Sequence, residues 1–207
     1  MKIYDISMSI SENMQVYKNK EEKKPVFSVT RDFKTGNSFE TNIKMDMHTG
    51  THIDAPLHMI RDGATIDKVR LDKFISKCKV LDFTNVEDCI TKSNLEKKCI
   101  EENEFLLLKT RNSFKDCFDY NFVYLEKEAA QYLKEKKVKG VGIDALGIER
   151  NQKGHPTHKI LLSSGIIIIE GLRLKNIEEG KYIIIALPLK FVGVEASPVR
   201  AILIKDM

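Results

Sequence analysis

Strand-like segments dominate this chain and arrive consecutively, and their order limits the folds open to it. Ile3–Ile10, Val26–Phe33 and Thr41–Met47 are rich in β-branched and aromatic residues, and they precede any strong helix signal. Further strands are expected at Lys79–Phe83, Phe105–Thr110, Val138–Ile143, Ile166–Glu170, Tyr182–Leu187 and Arg200–Ile204. Helices are expected at fewer places. Ser93-Asn-Leu-Glu96 reads as a capping box opening a short helix to about Cys99. Leu125–Lys136 combines strong helix formers with Leu125, Ala129, Tyr132 and Leu133 on one face. Shorter helices are expected over Ile66–Phe74 and His158–Ser164. The pattern predicts a mixed, strand-rich α/β fold whose curved or barrel-like sheet carries a few flanking helices. A regular doubly wound sheet fits poorly. Gly140-Val-Gly142 follows a strand, but the third glycine and the phosphate-binding helix of a dinucleotide site are missing.

No repeat and no Pro/Ser/Gly-rich linker divides the chain, so residues 1–207 are expected to form one domain. Charge narrows the partners. Lys and Arg number 34 against 30 Asp and Glu, and the basic runs Lys18–Lys24 and Lys134–Lys139 are interrupted by glutamates. Both read as solvated Lys/Glu surface, and no nucleic-acid partner is expected. Cys78, Cys89, Cys99 and Cys117 form no CxxC pair, which fits neither a disulfide framework nor a thiolate zinc site. The opening residues lack a signal-peptide pattern, and the longest apolar stretches, Ile166–Ile169 and Tyr182–Leu189, are too short to span a bilayer. A cytoplasmic protein without a membrane partner is expected.

The chemistry concentrates in Met47-His-Thr-Gly-Thr-His-Ile-Asp-Ala-Pro-Leu-His58, which holds three of only five histidines. Gly50 disfavours a helix, and Pro56 pushes Ala55 out of the α region, so the segment reads as a strand end running into a tight loop. Along an extended His52-Ile53-Asp54 both polar groups face one side and Ile53 the other. Imidazoles and a carboxylate converging in this way suit Zn²⁺, Mn²⁺ or Fe²⁺. A second cluster runs from His155 through His158 to Glu170, which closes the apolar strand Ile166–Ile169. A carboxylate there is costly to bury unless paired or metal-bound. The donors suffice for two ions, Asp54 and Glu170 can bridge them, and His58 is left over as a general acid/base.

The HTGTHIDAPLH segment resembles the H-x-G-T-H-x-D-x-P-x-H signature of the cyclase family of metal-dependent hydrolases, which includes bacterial kynurenine formamidase and isatin hydrolase. Tyr4-Asp-Ile-Ser7, Leu106–Asn112, Val141–Leu146, His158-x11-Glu170 and Ala186–Arg200 resemble further family segments in matching order. The resemblance implies a swivelling β/β/α-type fold, a homodimer or tetramer, and two divalent ions per subunit, zinc before manganese. His48 and His52 match the ligands of one ion, His158 that of the other, Asp54 and Glu170 the bridging carboxylates, and His58 the catalytic proton carrier. His155 has no counterpart and is expected in a loop or behind the ligands.

The implied reaction cleaves a C–N bond in a formamide or cyclic amide with a hydroxide held by both metals, as when an arylformamidase releases an arylamine and formate. Kynurenine formamidases carry an aromatic residue in a segment resembling PVWPGD. Met14-Gln-Val-Tyr-Lys-Asn19 stands there instead, and Tyr17 is the candidate substrate contact. The alternative is a non-catalytic metal- or small-molecule-binding protein on the same scaffold.

Overall fold

The computed structural model describes residues 1–205. In chain order its elements are β1 (Lys2–Asp5), β2 (Val26–Arg31), β3 (Glu40–Lys44), β4 (His52–Asp54), β5 (Ile75–Asp82), β6 (Cys89–Ile90), α1 (Lys92–Glu96), β7 (Phe105–Lys109), β8 (Tyr124–Leu125), α2 (Lys127–Glu135), β9 (Gly140–Ile143), α3 (Pro156–Ser163), β10 (Ile167–Glu170), β11 (Gly180–Ile185), β12 (Ala196–Pro198) and β13 (Ile202–Lys205). Nine strands form one sheet in the order β1-β13-β11-β5-β7-β9-β10-β4-β12, while β2 pairs with β3 and β6 with β8. The central strands β5, β7, β9 and β10 run parallel, and antiparallel pairs flank them.

Parallel strands need both faces covered, and the sequence supplies continuous apolar runs for them. In β7, Phe-Leu-Leu-Leu, the side chains of Leu106 and Leu108 join one core beside Ala129 and Leu133 of α2 and Leu161 of α3. Phe105 and Leu107 point the other way, into a core shared with Leu203 of β13 and Ile53 of β4. That second cluster draws on strands from both ends of the sheet order, so the sheet curls around it into a half-barrel. Gly140 has a packing role in this arrangement. It pairs with Phe105, and a Cβ added there would come within 2.2 Å of the Phe105 ring.

Several boundaries differ from the sequence expectation. Strand β1 stops at Asp5, because Ile6 turns to bond Ala201 and Met8 then reaches the Thr51 hydroxyl. The short helix α1 is capped by Thr91, not Ser93: Thr91 Oγ1 accepts from Asn94 N, and Asn94 Oδ1 accepts from Thr91 N. It ends at Glu96 rather than Cys99. Ile66–Phe74 forms two separate 3₁₀ turns, Ile66–Lys68 and Leu71–Lys73, with extended residues between them. Its ends are tied to different partners, Ile66 N to Val194 O and Phe74 O to Ala186 N, which stretches the chain beyond helical rise. Leu125 belongs to β8, so α2 begins two residues later than expected.

Candidate active site

Strand register assembles the first donors. β4 lies between β10 and β12, with His52 opposite Glu170 and Asp54 opposite Ile168. Residues two apart on a strand share a face, so His52, Asp54 and Glu170 converge while Ile53 enters the core on the other side. A backbone contact clamps this corner. Thr51 Oγ1 donates to Gly171 O at 2.6 Å, and a Cβ on Gly171, whose φ is +69°, would meet Gly50 O at 2.4 Å. Only glycine allows β10 to end so close to the turn that carries His48.

Three of the histidines are oriented by partners behind them. The Nδ1–H of His52 donates to Gly50 O at 2.9 Å, which turns Nε2 toward Glu170 Oε2 at 3.3 Å and Asp54 Oδ1 at 3.6 Å. His48 sits in the preceding turn with its backbone N–H on Asp46 Oδ1. Its Nδ1 lies 3.1 Å from Asp54 Oδ1, and its Nε2 lies 3.4 Å from Glu195 Oε1. His158, in the first turn of α3, bonds Glu149 through Nδ1 and Glu170 Oε1 through Nε2 at 3.2 Å. The His58 ring stands 4.3 Å from that of His48 and 5.6 Å from that of His158, and its nitrogens make no hydrogen bond among the described residues.

Asp54 is fully buried, yet among the described residues neither carboxylate oxygen has a hydrogen-bond partner, and His52 Nε2 has none either. Burial opposes ionisation of Asp54 and Glu170, but the neighbouring histidines hold both pKa values below the usual carboxylate range. Burial likewise lowers the pKa of His52 and His158. The carboxylates around them overcome it, lifting His52 to about 9 and His158 to about 10. These carboxylates therefore need positive charge, and the imidazoles supply it as protons. A divalent ion satisfies the same donors better, because it takes the unpartnered nitrogen and oxygens at once. The residues fit such an ion: His48, Asp54 and His58, and His52, Asp54 and Glu170, are sets whose donor atoms lie within 4.8 Å of one another.

A cavity of about 180 Å³ opens beside these groups, walled in part by Tyr17, Lys23, His58, Met59, Leu146 and His155. Tyr17 packs edge-on against Phe118, and burial with the nearby carboxylates Glu170 and Glu149 raises its pKa. His155 caps α3 from a left-handed conformation at the cavity rim, its Nδ1 3.6 Å from Glu149 Oε1.

Sequence reasoning missed three residues here. Glu149 had no signal, since a lone acidic residue after Gly-Ile looks like surface, yet it is buried and accepts from Thr157 N, His158 N and the His158 ring. Glu195 behind His48 was equally unmarked. Lys23 belongs to a run read as solvated surface, and the structure puts it in the cavity wall. Glu149→Gln is expected to keep the fold but let the His158 ring turn, weakening metal retention about 10–100-fold. Competition with a chromophoric chelator measures that loss, and an unchanged affinity would show that the bond to His158 serves packing alone.

The fold and this donor set together define a class, the metal-dependent hydrolases. The chain belongs to the cyclase family: the family model "Putative cyclase" matches residues 4–150. Kynurenine formamidase from Salinibacter ruber is 32% identical over 206 residues, covering 98% of this chain and 97% of that protein. A solved structure described as a "predicted metal-dependent hydrolase from Bacillus stearothermophilus" is 51% identical, with a TM-score of 0.90 over 98% of this chain and 97% of that one. Isatin hydrolase A from Labrenzia aggregata shares the fold at 23% identity, with a TM-score of 0.86 over 99% of this chain and 94% of that one. The chain is an enzyme of this hydrolase type, which sets aside the non-catalytic binder. No helix among the described residues is long and apolar enough to cross a membrane.

Proposed function

We propose that this enzyme hydrolyses a C–N amide bond, in a formamide or a cyclic amide, using two divalent ions per subunit. One observation carries the reading: the carboxylate of Asp54 is buried with both oxygens unpartnered, a cost that a bound cation offsets. His48 and His52 would hold one ion and His158 the other, with Asp54 and Glu170 shared between them. Nitrogen and carboxylate donors suit zinc first and manganese second. Bound there, such ions would supply Lewis acidity, giving a nucleophilic water at neutral pH and a polarised scissile carbonyl.

The chain's own residues handle the proton and the substrate. Burial holds the pKa of His58 below its ordinary value, which favours the neutral ring that can accept a proton. It takes that proton on a ring nitrogen as water adds to the carbonyl carbon. When the C–N bond breaks, the same nitrogen returns the proton to the leaving amine. Tyr17, Met59 and Leu146 form an apolar wall against which the organic part of the substrate packs. The resemblance to Salinibacter kynurenine formamidase supports a formamide, with an amine and formate as products.

The reading extends to one catalytic unit over residues 1–207, located in the cytoplasm and assembled as a homodimer or homotetramer. Four free cysteines support a reducing compartment. The β2–β3 hairpin supports assembly, because it exposes Phe27, Val29, Phe33, Phe39 and Ile43. The metal-loaded protein is expected to turn over N-formylkynurenine, isatin or a simple cyclic amide, to lose turnover on dialysis against a chelator, and to regain it with Zn²⁺ or Mn²⁺. Turnover that survives complete metal removal would contradict the proposal.

A further inference from the structure

One histidine, His155, has no part in the proposed reaction, and the fold sets it beside a buried carboxylate. It precedes Pro156 with a left-handed backbone, φ 54° and ψ 54°, a conformation that costs a residue with a side chain some strain. In that position its Nδ1 lies 3.6 Å from Glu149 Oε1. Two ligands on one tetrahedral zinc ion, each at about 2.1 Å, stand about 3.4 Å apart, so this pair is spaced to share an ion. The Glu149 side chain is 2% exposed and that of His155 58%. Both line the cavity, so an ion between them sits at its mouth and keeps water on its open side. His158 adds a third donor, since ligand atoms of Glu149, His155 and His158 all lie within 4.8 Å of one another.

We infer that Glu149, His155 and His158 form a further cation site at the rim, which takes a zinc-type ion and competes with the buried centre for His158. The competition follows from imidazole chemistry, because a neutral ring has one lone-pair nitrogen and one N–H. With its Nδ1–H on Glu149 Oε1, His158 turns Nε2 to Glu170 and the buried donors. A rim ion on Glu149 Oε1 and His155 displaces that N–H. Once Nδ1 joins the rim ion, the ring proton sits on Nε2, and His158 no longer serves the buried donors. The buried sets fill first, because His155 is largely solvated and His158 and Glu149 already have other duties. Excess zinc-type ion therefore inhibits, whereas Mg²⁺, which prefers oxygen donors, does not. The inhibition rests on the hydrolase reading above; the binding of the rim ion does not.

The test compares zinc-loaded wild type with His155→Asn, since asparagine tolerates the left-handed backbone and caps a helix well. Equilibrium dialysis against rising Zn²⁺, with bound metal counted by elemental mass spectrometry, is expected to show one weak equivalent more in wild type than in the variant. Turnover of N-formylkynurenine is followed over the same range, each protein taken relative to its own rate without excess ion. Losing an orienting partner costs about 10–100-fold in metal affinity, and losing a ligand costs no less. Half-inhibition of His155→Asn should therefore need about tenfold more Zn²⁺ than that of wild type, or higher. Mg²⁺ at matched ionic strength is expected to add no equivalent and to inhibit neither protein. Equal zinc counts in the two proteins would overturn the rim site. An extra wild-type equivalent that leaves turnover untouched would overturn the competition for His158. If no amide is turned over while the extra equivalent still depends on His155, the hydrolase reading falls and the rim site stands.

Discussion

Asp54→Ala is expected to empty the metal centre and to lower kcat/KM about a thousandfold or more. Two arguments lead there. Register places Asp54 on the face shared with His52 and Glu170, and both its oxygens are buried without a hydrogen-bond partner. A carboxylate kept for the fold would show the opposite, as Asp144 does: it is also buried, but it accepts from Thr110 and Ser113. The two roles therefore separate by stability. In the metal-free protein His52, whose raised pKa depends partly on Asp54, can release its proton when Asp54 is removed, so the melting temperature of that form should change little. Only the metal-loaded form should lose stability, because it loses the ligand-binding contribution. A large fall in the melting temperature of the metal-free variant would mean that Asp54 supports the fold rather than the ions.

His58→Ala is expected to behave differently, keeping the metal and losing about 10²–10⁴-fold in kcat. The ring faces the cavity near His48 and His158, but no hydrogen bond ties its nitrogens to the carboxylates that hold those two. Its donor nitrogen can nevertheless approach His48 and Asp54 within ligand range, so the ligand role is a real competitor. Metal analysis of the purified variant decides between them. Full metal content with lost turnover fits the proton carrier, whereas metal loss would move His58 into the ligand set. A leaving amine that is already acidic needs no protonation, so the variant should recover most with an activated anilide.

Much of this was legible because local rules and the global fold agree. Alternation in His52-Ile53-Asp54 predicts two donors on one side and a core residue on the other, and cross-strand pairing with Glu170-Ile169-Ile168 makes that so. The Gly50 and Pro56 signals likewise mark a turn and a strand end. What stayed hidden depends on contacts distant in sequence. Nothing near Glu149 marks it as buried; its burial follows from α3 starting at Pro156 and folding its first turn over it. Lys23 looked solvated because its neighbours are, and its place in the cavity comes from the fold of the 17–24 segment. The missed strand β12, Ala-Ser-Pro, is too short and too weakly β-forming to read from sequence, and it exists because β4 offers it an edge. Ile66–Phe74 has helical spacing, but anchoring at both ends stretches it into separate turns.

The central claim is that the buried donors hold two divalent ions. Elemental mass spectrometry on protein purified without added metal or chelator and then reconstituted with Zn²⁺ measures this directly, with Asp54→Ala analysed beside it. The account predicts two equivalents per chain for the wild type and fewer than one for the variant. Wild-type protein that retains no stoichiometric metal, or a variant that retains both ions, would contradict it.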